Sequence, residues 1–258
     1  MSANPIAGVT VVELPCGYLL DGKLHTSAEI VPMTGMVRKM IARPETRQNP
    51  AKVIDTLLLQ CVKSIGPVSR VKKDVTDRLF LADREFLVLA IRKASLGNTV
   101  TTNLQCESCN AKMTITVDLT REVPVKKLKD VEHTIEDGLV VFSIQDDSKG
   151  IDVKFRLPIG EDQHALSSLY RKNPIEANYA LYQRCIISWN GAPANELDPR
   201  LFDTLPLPTI DFIDAAFMEA MPGPDMRVPI DCIECGREMI LSMESSDFLF
   251  PLPKRERT

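Results

Sequence analysis

Two Cys-x-x-Cys pairs, Cys106/Cys109 and Cys232/Cys235, stand more than one hundred residues apart and constrain the chain more than any other feature. A two-residue spacer lets one tight turn aim both sulfurs at a single point, about 2.3 Å from a zinc ion. The two contexts match. After the first pair come Asn110, Met113, Ile115, Val117 and Asp118; after the second, at equal offsets, come Gly236, Met239, Leu241, Met243 and Glu244. A chain doubling back after the second cysteine needs a residue that tolerates positive φ, and Asn110 and Gly236 have that tolerance. Each unit therefore reads as a hairpin with its sulfurs at the tip, half of a tetrahedral site. One half leaves an ion two ligands short, so the two are expected to meet in space. Cys106, Cys109, Cys232 and Cys235 would then hold one structural Zn2+ per chain, with no open coordination position for catalysis. The competing readings are a redox dithiol or two unrelated turns. A redox pair usually opens a helix, whose dipole lowers the thiol pKa, whereas strands follow here. Simple zinc ribbons separate their pairs by roughly 15–20 residues, so the longer insertion must hold elements of its own.

Length and charge narrow the setting. The chain has 258 residues and a net charge of -4, with 44% hydrophobic residues. That suffices for one large core or two smaller ones, and lacks the overall positive field that nucleic acid or an anionic membrane attracts. No apolar run approaches the roughly 20 residues that span a bilayer. The opening residues, Met1-Ser-Ala-Asn-Pro5, read as neither a basic nor an apolar leader. The expectation is a reducing cytoplasm, where cysteines are seldom cross-linked.

The chain alternates between strand and helix patterns. Residues 9–14 and 25–32 read as strands joined by a turn-rich link containing Pro15, Gly17 and Asp21-Gly22. Residues 34–41 read as a short helix capped by Thr34, and a firmer helix starts at Asn49-Pro50. A long helix is expected over 76–95, stopped by Gly97. Strands follow over 99–104, 112–119, 139–144 and 151–157, the last two joined by Asp146-Asp-Ser-Lys-Gly150. A helical stretch covers 161–188 with an interruption at Asn173-Pro174. Another spans 209–221, and strands return over 226–250. This order predicts an α+β protein. A β-rich zinc-ribbon-like module would be built on the four cysteines, with helices before it and inside the insertion. The expected divisions are 1–98, a hairpin plus helical region; 99–120 with 226–251, the stapled module; and 121–225, the insertion.

No catalytic pattern stands out. His25, His133 and His164 are scattered and read as structural; Asp146-Asp147 lies in a turn, where acids are solvated. Phosphate-binding glycine loops and a nucleophile elbow are absent from the sequence. Cys61 and Cys185 fall in apolar helical stretches and read as small buried residues, and Cys16 reads as a turn residue. The basic clusters at 70–73, 126–129 and 254–257 each have an acid close by and read as solvated surface. The reading is a non-enzyme with no small-molecule substrate and no membrane contact, and nucleic acid is disfavoured.

Several segments together resemble the baseplate-hub and tail-assembly proteins of contractile-tailed bacteriophages. They are Leu14-Pro-Cys-Gly17, Leu57-Leu-Leu-Gln-Cys-Val-Lys-Ser-Ile-Gly66 and Leu81-Ala-Asp-Arg-Glu-Phe-Leu-Val-Leu-Ala-Ile-Arg92. The last leads through Gly97-Asn to the first cysteine pair. Near the far end, Pro222-Gly-Pro-Asp-Met-Arg-Val-Pro-Ile-Asp-Cys232-Ile-Glu-Cys-Gly236 runs on to Asp247-Phe-Leu-Phe-Pro251. Family members often carry Cys-Pro-x-Cys-Gly, where this chain has Glu-Ser and Ile-Glu spacers and Asn110 in place of one glycine. The resemblance implies a structural or assembly component of a phage tail baseplate. It would be made in the host cytoplasm, would contact other tail or baseplate proteins, and could remain in the virion. The runner-up is a zinc-ribbon nucleic-acid-binding or transcription-related protein. The Phe248-Leu-Phe-Pro-Leu-Pro253 segment has two open readings, a final strand on the chain's own core or a tail docked on a neighbouring subunit. Which subunits it touches, and in what copy number and symmetry, is not written in the sequence.

Overall fold

The computed structural model describes residues 8–243. The chain starts with a hairpin, β1 (Thr10–Leu20) and β2 (Lys23–Ile30), then helices α1 (Gly35–Ile41), α2 (Pro44–Arg47) and α3 (Pro50–Cys61). Next come β3 (Val62–Ile65), α4 (Lys73–Arg78), α5 (Leu81–Leu96), and the hairpin β4 (Thr99–Gln105) and β5 (Lys112–Asp118). The insertion holds β6 (Val125–Lys126), β7 (Thr134–Glu136), β8 (Leu139–Asp146), β9 (Ile151–Arg156), α6 (Gly160–Tyr170) and α7 (Pro174–Cys185). It continues with β10 (Ile186–Trp189), β11 (Ala192–Pro193), α8 (Leu201–Thr204), α9 (Leu207–Ala220) and β12 (Gly223–Pro224). A final hairpin is made of β13 (Arg227–Asp231) and β14 (Glu238–Ser242). Helices and mostly antiparallel sheets are thus mixed along one chain, as the α+β expectation requires.

Local signals set several boundaries. The Thr34 hydroxyl accepts from the Val37 N–H, and the Asn49 and Asn173 side chains accept from Lys52 and Glu176, each followed by proline at the first helical position. Gly97, at φ 87°, ends α5. Other boundaries differ from the sequence reading. The helix expected over 76–95 is two helices, because Leu79 and Phe80 turn extended and pair with residues 158–160: Phe80 bridges Ile159, and Gly160 N–H donates to the Leu79 carbonyl at 2.9 Å. The helix expected to reach residue 188 stops at Cys185. Ile186–Trp189 is instead a strand that turns at Asn190 (φ 48°) and Gly191 (φ 82°) into β11, the two-residue hairpin geometry an Asn-Gly pair favours. The turn of the first hairpin is Asp21-Gly22 alone. Pro15 to Gly17 is a bulge inside β1, where the register with β2 shifts between Glu13 and Tyr18. Cys16 is accordingly buried within a strand, not a turn residue.

Two cores result. The first gathers the three-stranded sheet β1-β2-β3, α1, α3 and α5, together with Val117, Val228 and Met243 from the roots of the two cysteine hairpins. The second is built on β8 and β9 of a five-stranded sheet, ordered β11-β10-β9-β8-β7, and on α6 to α9. Phe142, Phe155, Tyr182, Phe202 and Phe217 interlock there; Phe155 and Phe217 meet edge to face at 5.3 Å.

Helix α5 joins the halves through two consecutive buried charges. The β1 bulge leaves the Cys16 and Gly17 N–H groups without ladder partners, and the Asp83 carboxylate accepts both, at 2.8 and 3.0 Å. Burial pushes the Asp83 carboxyl up to about 7, against the pull of the two N–H donors. Gly17, at φ 93°, also lies where a Cβ would come within 3.1 Å of the His25 backbone. Arg84, fully buried, donates to Asp55 on α3 at 2.7 Å, to the Thr76 carbonyl at 2.7 Å and to Gln163 on α6 at 3.1 Å. In the second core Asp162 plays the matching part, accepting two bonds from Arg156, one from Arg184 and one from the Ile159 N–H.

Removing one member of a buried ion pair costs about 3–5 kcal/mol, because the other charge is stranded. Arg84→Leu should therefore lower the unfolding free energy in denaturant titrations, by at most about that amount because Lys73 and His164 remain on Asp55, and an unchanged midpoint would show that Arg84 adds nothing to that network. Asp55 supplies a pH test. Burial raises its carboxyl, but His164 and Arg84 more than reverse this and hold it at about 2. Between about pH 4 and pH 2 the folded chain then binds fewer protons than the unfolded one. This stabilisation is complete above about pH 4 and is lost as pH falls through about 2. Asp55→Asn should be less stable at neutral pH and lose stability less steeply from pH 4 to pH 2; equal acid slopes would refute the depressed value.

Candidate metal centre

The two cysteine turns have the same backbone. In the first, Asn110 N–H donates to the Cys106 carbonyl at 2.9 Å and Cys106 N–H to the Ala111 carbonyl at 2.9 Å. In the second, Gly236 N–H donates to the Cys232 carbonyl at 2.8 Å and Cys232 N–H to the Arg237 carbonyl at 2.9 Å. Asn110 (φ 60°) and Gly236 (φ 70°) are both left-handed, the conformation expected where each chain doubles back. Strands then return in register, Gln105 opposite Lys112 and Asp231 opposite Glu238.

The tips meet. Cys106 Sγ lies 3.8 Å from Cys235 Sγ, and Cys109 Sγ lies 3.6 Å from Cys232 Sγ; all four sulfurs fall within 4.8 Å of one another. A disulfide would need about 2.05 Å, and all four are free thiols. A tetrahedron with ligand bonds of about 2.3 Å has sulfur–sulfur edges of about 3.8 Å. The sulfurs are thus spaced as the corners of a four-thiolate site, and the donor set fits a metal that favours soft tetrahedral ligation. Cys106 and Cys232 are buried beside Met113, with Leu104, Ala111, Ile115 and Met239 around them, while Cys109 and Cys235 face outward.

The four thiols are electrostatically unequal. The Cys109 and Ser108 N–H groups point at Cys106 Sγ and pull that thiol down to about 6. For Cys109 the Ala111 N–H pulls in the same direction. The crowding sulfurs of Cys235, Cys232 and Cys106, with burial, outweigh it and push the thiol up to about 12. One thiolate is therefore accommodated easily and a second beside it is not, unless positive charge sits between them.

A second group that could ligate a metal, Asp55, Asp77 and His164, went unseen in the sequence because its members come from α3, α4 and α6. It already holds two cations. Lys73 Nζ lies 3.1 Å from Asp55 and 2.9 Å from His164 Nε2 and also pairs with Asp77, while Arg84 reaches Asp55 from beneath. This is a charge network tying the two cores together, and it places the half-buried His164 in a structural role. His133 Nδ1 lies 2.7 Å from the Val131 carbonyl, and the His25 side chain packs under Gly66. Cys61 and Cys185 are buried, and burial pushes both thiols up. Two of the basic clusters are partly neutralised: Lys127 pairs with Glu13 at 2.6 Å, Lys126 donates to the Glu219 carbonyl, and Lys73 sits in the network above. Among the described residues no helix is long and apolar enough to cross a membrane.

No curated protein and no solved structure gave a significant match to the chain. A family model described as T4 bacteriophage base plate protein matches residues 33–250. The matched span begins just before α1 and takes in both cysteine hairpins, and the first hairpin lies outside it. On that match across most of its length, the chain belongs to the T4 bacteriophage base plate protein family, a family of phage baseplate proteins.

Proposed function

We propose that this chain is a non-catalytic building or assembly component of a phage tail baseplate, working through contacts with other tail proteins, and that Cys106, Cys109, Cys232 and Cys235 bind one structural zinc ion. The family match over residues 33–250 supports the baseplate role. The spacing of the four sulfurs, 3.6 and 3.8 Å across the two turns, supports the zinc. The ion would supply cohesion, not chemistry, because four protein thiolates fill its coordination sphere. The N–H groups of Ser108, Cys109 and Ala111 would offset part of the excess negative charge.

On this reading the segments 99–120 and 226–251 form one module, with 121–225 inserted between its halves. The ion closes a loop of 123 residues from Cys109 to Cys232. Cross-links over loops of about 100 residues contribute roughly 4–5 kcal/mol by chain entropy alone. Since the site forms only in the folded chain, metal-binding energy becomes folding energy. The protein would be made in the infected host's cytoplasm and act in the assembling or finished tail.

Metal analysis of protein purified without a chelating tag or column tests the zinc. About one zinc per chain is expected, and its removal by a chelator should lower the melting temperature. Absence of zinc, with all four thiols open to a thiol reagent in the folded protein, would overturn the assignment. Cys106→Ser and Cys232→Ser should each lower the melting temperature by roughly 10 °C, taking about 2–4 °C per kcal/mol for a chain of this size. The baseplate role predicts that immunoprecipitation from infected cells recovers other tail proteins. Recovery of none, in cells that are assembling tails, would count against it.

A further inference from the structure

Between the two cores runs an open apolar groove with a volume of about 1060 Å³, at the upper end of the size range for ligand sites. Ile54 of α3, Leu81 of α5, Leu166 of α6, and Phe217 and Met218 of α9 line it, with the rings of Pro222 and Pro224 closing one end. Met218 is 57% exposed at its mouth. An apolar concavity of this size is seldom left to water.

We propose that the occupant is the chain's own segment Phe248-Leu-Phe-Pro-Leu-Pro253, folded back into this groove. Met243, the last described residue, is itself a lining residue, and its N–H donates to the carbonyl of Met226, another lining residue, at 3.0 Å. The chain is thus delivered to the groove wall. The five residues from there to Phe248 reach up to roughly 17 Å at about 3.4 Å each, enough to set the aromatics against the apolar lining. The segment's chemistry suits a site with few polar partners. Pro251 and Pro253 have no N–H to leave unsatisfied, while Phe248, Leu249, Phe250 and Leu252 supply apolar bulk. Lys254 and Arg255 follow directly. Glu85 lines the same groove, where burial pushes its carboxyl up to about 7, and a cation entering with the segment would favour its charged form. The family match also continues past Met243 to residue 250, so its span takes in Phe248 and Phe250. The inference rests on the groove and the segment alone and is independent of the zinc.

Limited chymotrypsin digestion of the full chain tests it, with cleavage after Phe248 and Leu249 compared with that of a synthetic peptide of residues 244–258. Docking should slow cleavage at least about tenfold relative to the peptide, since cleavage follows the undocked population. The protection should be independent of protein concentration. Met218→Glu, at an exposed position of the groove mouth, should restore rapid cleavage without changing the melting temperature of the rest of the chain. Phe250→Ala, which alters no described residue, should do the same after Leu249. Cleavage as fast as the peptide's would overturn the proposal, as would protection unaffected by Met218→Glu. Protection that fades on dilution would assign the groove to the segment of a second copy and overturn docking within one chain.

Discussion

The fold depends on one helix carrying two adjacent buried charges. Asp83 and Arg84 are both shielded from water, and being neighbours on a helix they point in different directions. Asp83 satisfies the two N–H groups that the β1 bulge leaves open, which fixes the first hairpin on α5. Arg84 reaches the other way, to α3, the end of α4 and α6, and so binds the first core to the second. Gly160 lets α6 come close enough: a Cβ there would lie 2.4 Å from the Thr76 carbonyl and 2.7 Å from Arg84 Nη1. Hydrophobic burial gives each core its bulk. Because apolar contact is non-directional, it would tolerate several ways of setting one core against the other. A buried charge with fixed partners tolerates few, since any other arrangement leaves it unpaired at a cost of several kcal/mol.

This division explains what could be read from the sequence. The cysteine turns were legible in detail, down to the positive φ of Asn110 and Gly236, because the chemistry of a two-residue spacer and a reversing chain is local. Helix starts at Thr34, Asn49-Pro50 and Asn173-Pro174 were legible for the same reason, since a cap and its N–H partner lie three residues apart. The break at Leu79-Phe80 was not. Its cause is a bridge from Phe80 to Ile159, 79 residues away in a segment read only as the approach to another helix. The β1 bulge is similar: Pro15 and Gly17 suggest a turn, and only the carboxylate arriving from α5 lets the strand continue through them. The strand at Ile186–Trp189 was legible in part, because Ile186, Ile187 and the Asn190-Gly191 pair are hairpin signals that an apolar helical run overshadowed.

The cysteine hairpins show why a staple belongs where it is proposed. An isolated two-stranded hairpin is marginal in water, and each of these is anchored at its root, through Val117 and Leu119 in one and Val228 and Met243 in the other. Away from the roots only one face of each strand is shielded, as the alternating burial of β4, β5, β13 and β14 records. At the tips the apolar packing thins to Met113 with a few half-buried neighbours. A hydrophobic contact that small cannot hold two tips in one geometry against fraying. Four sulfurs closing on one ion, as proposed, would do so while leaving surface free, since Ile233 and Ile240 are 75% and 66% exposed on the second hairpin. A rigid tip that owes little of its order to buried apolar area can leave its apolar residues outward, which is what a subunit needs if its purpose is to be packed against others.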